Sequence, residues 1–242
     1  MLALRVLMAA RGGGGGFLNM GYTMTADEVT FWQHQAALLD PLAYELHTGS
    51  GHTETVGAGD TWYCLNAWQA TGSGVGNWFH RSLDYRKALP LSEGSSIVLS
   101  STTGAQVYLC KPELVTGSDA RYTSDPKGLF FQRIIRLETL TQYRLGAAAT
   151  GSAEVDVSFP TDFTYGMMLQ VSSMDVAWTI LRHDANTGLN MLHEISDSNA
   201  YRVAEAVICP FDRTVFPQIG VKGVSVAAGS GEVWYIKLPG DW

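Results

Sequence analysis

The stretch Arg86-Lys-Ala-Leu-Pro-Leu-Ser-Glu-Gly94-Ser-Ser-Ile-Val-Leu99-Ser-Ser-Thr-Thr-Gly104-Ala-Gln-Val-Tyr108-Leu-Cys-Lys-Pro112 returns near the end of the sequence. Arg86, Pro90, Gly104, Tyr108 and Pro112 recur as Arg213, Pro217, Gly231, Tyr235 and Pro239, each 127 positions on with no gap. Apolar positions keep the same offset: Leu89 with Phe216, Ile97 with Val224, Leu99 with Val226, Leu109 with Ile236. A fixed offset carrying turn residues, strand residues and a closing proline points to one β-rich unit built twice. Within the unit, Ile97 and Leu99 share a face at period two. Gly104 supplies a turn, the strand holding Tyr108 returns antiparallel as a hairpin, and Pro112 ends the pairing.

Outward from the repeat, short apolar or alternating runs read as strands: Leu42–His47, Thr61–Trp68, Trp78–Leu83, Ser96–Ser100 and Ala105–Cys110. Glycine-bearing turns separate them, a spacing typical of sandwiches and jelly rolls. A second set follows at Ala153–Phe159, Tyr165–Ser172, Val176–Arg182, Arg202–Ile208, Val221–Ala227 and Glu232–Leu238. Phe130–Tyr143 suits either a helix or a buried strand, and the alternation of Phe131, Arg133, Ile135 and Leu137 favours strand. Thr25-Ala-Asp-Glu28 is a capping box that opens one short helix, which Asp40-Pro41 stops.

The fold class that follows is mostly β: two tandem sandwich- or jelly-roll-like domains from an internal duplication, with an extended arm and one short helix. The division runs 1–24 for the arm, 25–115 for the helix and first sandwich, 116–128 for a linker and 129–242 for the second sandwich. The arm contains Gly12, Gly13, Gly14, Gly15 and Gly16, a tract with much entropy to lose on ordering. A neighbouring subunit is the natural thing to hold it.

Only 16% of the 242 residues are charged, against about 25% in an average domain, while 46% are hydrophobic. Such a balance leaves less free solvent-facing surface than a lone monomer presents. The net charge of −7 and the lack of a basic stripe argue against nucleic acid. No run approaches the roughly 20 apolar residues of a membrane span, and Met1–Arg11 does not read as an export signal. Cys64, Cys110 and Cys209 read as buried thiols, with a Cys64–Cys110 bridge left open.

No catalytic motif emerges. His47-Thr-Gly-Ser-Gly-His52-Thr-Glu54 has a superficial cupin likeness. Metal-binding cupins, however, place two ligands on one strand face and a further histidine on another strand. Here the two histidines sit five apart across a glycine turn, so the expectation is no metal, no cofactor and no catalytic residue. Gly72-Ser-Gly-Val-Gly76 lacks a following helix and reads as a loop tip. Asp84, Glu93, Asp156, Asp162 and Glu194 carry no context that pairs them as glycosidase carboxylates. His80 with Asp84 and His183 with Asp184 read as surface polar residues. Among the tryptophans, Trp62, Trp178 and Trp234 lie inside apolar runs and read as core. Trp68, Trp78-Phe79 and Trp242 flank turns and are candidate contacts for a subunit interface or a glycan.

With these features, and runs such as Leu89-Pro-Leu-Ser-Glu-Gly94 and Val233-Trp-Tyr-Ile-Lys-Leu-Pro239, the chain resembles accessory virion proteins of tailed bacteriophages, of the capsid cement or decoration type or the neck or tail fibre adaptor type. That resemblance implies a non-enzymatic homo-oligomer, in some cases a trimer, assembled in the host cytoplasm and seated on a major capsid, neck or tail protein of the virion. A receptor- or glycan-binding module is the alternative expectation, and a cupin-like or glycosidase enzyme a second.

Overall fold

The computed structural model describes residues 23–72, 77–81, 84–100, 104–148, 155–172, 176–183, 188–190, 206–223 and 231–242. The glycine tract 12–16 lies outside them. Helix α1 (Ala26–Ala37) begins at the expected capping box. Thr25 Oγ1 accepts from the Glu28 backbone at 3.3 Å, and Glu28 Oε2 accepts from the Thr25 backbone at 2.8 Å.

The first half is a seven-stranded antiparallel sheet of β1 (Tyr44–Thr48), β2 (Thr53–Thr55), β3 (Thr61–Gly72), β4 (Asn77–Arg81), β5 (Leu89–Ser92), β6 (Ser96–Leu99) and β7 (Gln106–Cys110). β3 is its spine. β7 and then β6 pair along one side of it, β5 and then β4 along the other. Ser92 pairs with Thr61 at one end of β3, and Ile97 pairs with Gly72 at the other. A flat twelve-residue strand would span about 36 Å, whereas the five-residue link from Ser92 to Ile97 reaches at most about 17 Å. β3 therefore bends sharply. The register shifts at Cys64/Asn66 and again between Ala67 and Ala70, where Gln69 takes φ +51°. Bulges of this kind bend a strand and tighten its twist.

The curl encloses Val56, Trp62, Cys64, Ala67, Leu91, Ile97, Leu99, Val107 and Leu109, all buried. Ile97 and Leu99 do share a face, and Gly104 has φ +74°. The hairpin expected at Gly104 does not form. β6 and β7 each run antiparallel to β3 and so in the same direction along it, and the positive φ of Gly104 does not mark a reversal of the chain between them.

Three further helices follow: α2 (Glu113–Thr116), α3 (Ala120–Ser124) and α4 (Pro126–Thr139). The strand reading of Phe130–Tyr143, and with it the single short helix, is thus corrected. Asp125 accepts from the Gly128 backbone at 2.9 Å and Pro126 occupies the first turn, a strong helix start. Leu129, Arg133 and Leu137, four apart, form the buried stripe. Residues 116–128, expected as a linker, carry the end of α2, α3 and the start of α4, and Tyr122 there is fully buried.

The second half holds β8 (Gln142–Ala148), β9 (Val155–Ser158), β10 (Tyr165–Ser172), β11 (Val176–Arg182), β12 (Gly188–Asn190), β13 (Ala206–Asp212), β14 (Gln218–Gly223) and β15 (Gly231–Lys237). They form two four-stranded antiparallel sheets, ordered β13-β10-β15-β8 and β12-β11-β14-β9. The molecule is thus mostly β, built from curled antiparallel sheets with few helices.

One core joins these parts. Leu39, Tyr122 and Leu137 from the helices, Leu65 and Tyr108 from the outer face of the first sheet, and Met167, Phe211 and Phe216 from the second half belong to a single buried cluster. The Tyr108 hydroxyl donates to the Pro210 carbonyl at 2.8 Å. All three cysteines are free. Cys64 lies within the curl and Cys110 on the sheet's other face, so a bridge between them would have to cross the sheet.

A buried polar knot fastens the helices. The five N–H groups of Arg133 donate to Asp40 Oδ2 (2.7 Å), the Tyr122 hydroxyl (2.6 Å), the Ala36 carbonyl (2.8 Å) and twice to the Trp242 backbone oxygen (2.9 and 3.1 Å). Tyr122 in turn donates to Asp40 at 2.7 Å. The arginine is fully satisfied, as a buried guanidinium must be.

Candidate functional site

Directly opposed residues in an antiparallel pair share a face. His47 lies opposite Val107, Glu45 opposite Leu109 and Glu54 opposite Ile97, so all three point to the inner side of the curl. Lys111 and Trp62 continue the inner set at period two. Together with His52 they make a polar mouth above the apolar interior. Gly49 (φ +98°) and Gly51 (φ +76°) shape the link between β1 and β2, which the Ala105 and Leu99 carbonyls hold at 3.0 and 2.9 Å.

The link brings His47 and His52 into a stack with centroids 4.7 Å apart, and both rings face Glu54. Glu54 Oε1 lies 3.5 Å from His47 Nδ1 and 2.7 Å from His52 Nε2. On its other side, His47 Nε2 is 3.2 Å from Glu45 Oε2; that nitrogen is buried and the angle is too poor for a hydrogen bond. The Lys111 ammonium bridges Glu45 (2.7 Å) and Glu54 (2.8 Å) and sits 4.3 Å from the Trp62 ring centre. The Trp62 indole donates to Glu113 at 2.7 Å.

Charge and burial compete here. Burial lowers the His47 pKa below its ordinary value, against the pull of Glu54. It works to raise the Glu54 carboxyl, but hydrogen bonds from Lys111 and His52 overcome it and hold the carboxyl low. Lys111 is raised, since its bonds to the two glutamates outweigh its desolvation. The spacing argument that set His47 and His52 apart therefore fails in three dimensions: a turn with two positive-φ glycines folds the pair together.

A second feature lies on the helices. Phe31, 53% exposed, packs edge-on to Trp32, which touches Phe130 and Phe131 of α4 at 5.6 and 5.5 Å between centroids. Phe131 (40% exposed) and Ile135 (55%) extend the ladder one turn further, beside a shallow groove of about 510 Å³ lined by Gly128, Phe131, Gln132, Ile135, Arg136 and Thr139. No helix among the described residues is long and apolar enough to cross a membrane.

The chain matches no protein-family model, and no curated protein is significantly similar to it.

Of the aromatic contacts named from sequence, Trp68 is half-buried on β3 opposite Gln106. Trp78 and Phe79 lie on β4, their side chains outside the described residues. Trp242 is only 8% exposed, with its indole donating to the Leu39 carbonyl at 2.8 Å, so in this subunit it is core and cannot stack on a sugar.

Among the described residues, each carboxylate weighed from the sequence has a partner of its own. Asp84 is bound to Arg86, Asp156 to Arg182 and Asp162 to Lys237, and Glu93 accepts from the Gly59 backbone. Glu194 lies outside the described residues, as do Asp184 and 73–76 of the glycine loop. His183 pairs with Gln106 at 3.1 Å, and the His80 side chain is not among those described.

Sequence reasoning missed the ladder because α4 was read as a strand; the 130, 131, 134, 135 apolar spacing was the signal. Lys111 and Glu45 were missed as well, although each continues a period-two inner face.

Proposed function

We propose that the chain is a tandem pair of jelly rolls and a structural, non-enzymatic subunit of an assembled particle, copies of it packing through the α1–α4 face. The decoration or cement layer of a tailed-phage capsid suits it best, and a neck or tail fibre adaptor comes next.

Strand order supports the duplication. In the first half β7 lies between β1 and the start of β3, with β5 beyond; β6 lies between β2 and the end of β3, with β4 beyond. In the second half β15 lies between β8 and β10 with β13 beyond, and β14 between β9 and β11 with β12 beyond. With β10 and β11 standing for the two arms of the bent β3, the orders coincide strand for strand. Eight strands in two interleaved sheets is the jelly-roll plan, common in capsid and lectin domains. A helix leads into the first strand of each half, α1 into β1 and α4 into β8. Each half also stacks a tyrosine of its first strand on one of its last: Tyr44 on Tyr108 at 4.9 Å, Tyr143 on Tyr235 at 5.5 Å.

The assembly reading is carried by the ladder Phe31–Trp32–Phe131–Ile135, in which Phe31, Phe131 and Ile135 are exposed and Trp32 is half-buried. Large contiguous apolar surface on a chain with so few charges favours burial against another copy. Light scattering with size-exclusion chromatography tests it. The wild type should run as an oligomer, and a Phe131→Asp/Ile135→Asp variant should run as a monomer with an unchanged circular dichroism spectrum. A monomeric wild type, or a variant of unchanged mass, would refute it.

A further inference from the structure

The geometry points to a divalent-cation site of zinc type at the mouth of the first curled sheet, with His47 Nδ1, His52 Nε2 and Glu54 Oε1 as its three protein ligands. These atoms all lie within 4.8 Å of one another. Zinc bound at about 2.0–2.1 Å sets tetrahedral ligand atoms roughly 3.3 Å apart. The 3.5 Å separation of His47 Nδ1 from Glu54 already matches that spacing. The 2.7 Å contact between His52 and Glu54 is a hydrogen bond whose proton a cation replaces; the pair opens slightly and the exposed His52 ring turns out of its 19° stack on His47, so that both ring planes contain the ion.

The surroundings are those a metal site needs. A histidine ligand ordinarily turns its second nitrogen to a carboxylate, which fixes the ring and raises its basicity. His47 Nε2 is buried 3.2 Å from Glu45 Oε2 but not aligned to bond it, so a small turn of the ring as Nδ1 takes the ion would complete that pairing. Two carboxylates, Glu45 and Glu54, against the one ammonium of Lys111 leave the cluster negative, and a cation settles that balance.

The ligands stand on ordered backbone. His47 is paired in β1 and Glu54 in β2, and the His52 carbonyl accepts from the Leu99 backbone at 2.9 Å. The His52 side chain is 43% exposed, so the site opens to solvent on one side and a water completes the fourth position. The mixed imidazole and carboxylate donors suit zinc over calcium or magnesium. Bound there, the ion ties β1 to β2 across the glycine link.

The test uses the full chain after treatment with a chelator. Titrating zinc chloride in a calorimeter should give one ion per chain, and cobalt chloride should give the visible absorption of a tetrahedral site. His52→Ala, a change at an exposed side chain, should weaken binding on the order of 100-fold or more, and Glu45→Gln by about 10- to 100-fold. Zinc should raise the melting temperature of the wild type and leave that of His52→Ala where it was. The far-ultraviolet spectrum of the metal-free variant should equal that of the wild type, which separates loss of a ligand from loss of fold. No saturable binding at millimolar zinc, or binding that survives His52→Ala, would overturn the proposal.

Discussion

Arg133 and Asp40, far apart in sequence, meet in a buried ion pair of 2.7 Å, the arginine 2% exposed. Because Asp40 also accepts from Tyr122 and caps the Leu42 backbone, the pair fixes where α4, α3 and the end of α1 come together. Removing one member leaves the other charge buried and alone. Arg133→Leu should cost about 3–5 kcal/mol, read by urea denaturation followed by tryptophan fluorescence. Asp40→Asn added to it should cost less than the sum of the two single changes.

Gly166 is a second sensitive point. It pairs across the sheet with Phe211, and a Cβ built there would come within 2.6 Å of that ring. Phe211 also packs against Phe159 and Phe163, so the ring has little room to yield. Gly166→Ala should destabilise by about 1–3 kcal/mol, visible as a lower melting temperature with the secondary structure retained.

Gln69 predicts the opposite sign. Its φ of +51° at the bend of β3 is a conformation that glycine takes without strain. Gln69→Gly should therefore stabilise the fold by about 1 kcal/mol, measured by the same denaturation. A loss of stability would mean that the side chain contributes more than the backbone strain it imposes.

His34 makes stability depend on pH. Burial lowers its pKa below 6.5, against the charge of Asp60, and its Nδ1 lies 3.1 Å from the Tyr63 hydroxyl. The unfolded chain thus takes up the proton first. This contribution is complete above the unfolded pKa and is lost as pH falls from there toward the lowered folded value. Between pH 7.5 and 5.5 the wild type should lose stability more steeply than His34→Gln, as chemical denaturation at each pH would show.

Much of this architecture was readable in the residues. The capping box at Thr25 and the period-two pair Ile97 and Leu99 both follow from local chemistry, and local chemistry is what a sequence displays. The α4 error arose from weighing the alternation of Phe131, Arg133, Ile135 and Leu137 above the start signal at Asp125-Pro126. The hairpin error has a different origin. Whether a glycine reverses a chain or merely kinks it depends on the partners of the strands on either side, and those partners lie elsewhere in the chain. The same holds for the mouth cluster. His47, His52 and Glu54 are near neighbours in sequence, but only the register of β1 with β7 and of β2 with β6 turns them inward together. Arg133 was legible as a charge within an apolar run; that four acceptors await its five N–H groups was not.

The outer face of the first sheet, with Leu65, Tyr108 and Cys110, is covered by Phe211 and Phe216 of the second half. During translation the first curled sheet must leave the ribosome well before its cover exists. At about 5–20 residues per second, that wet interval lasts for seconds, and in it the nascent chain carries a greasy wall with nothing against it. In that interval Leu65, Tyr108 and Cys110 present an apolar wall open to self-association, and only emergence of Phe211 and Phe216 closes it.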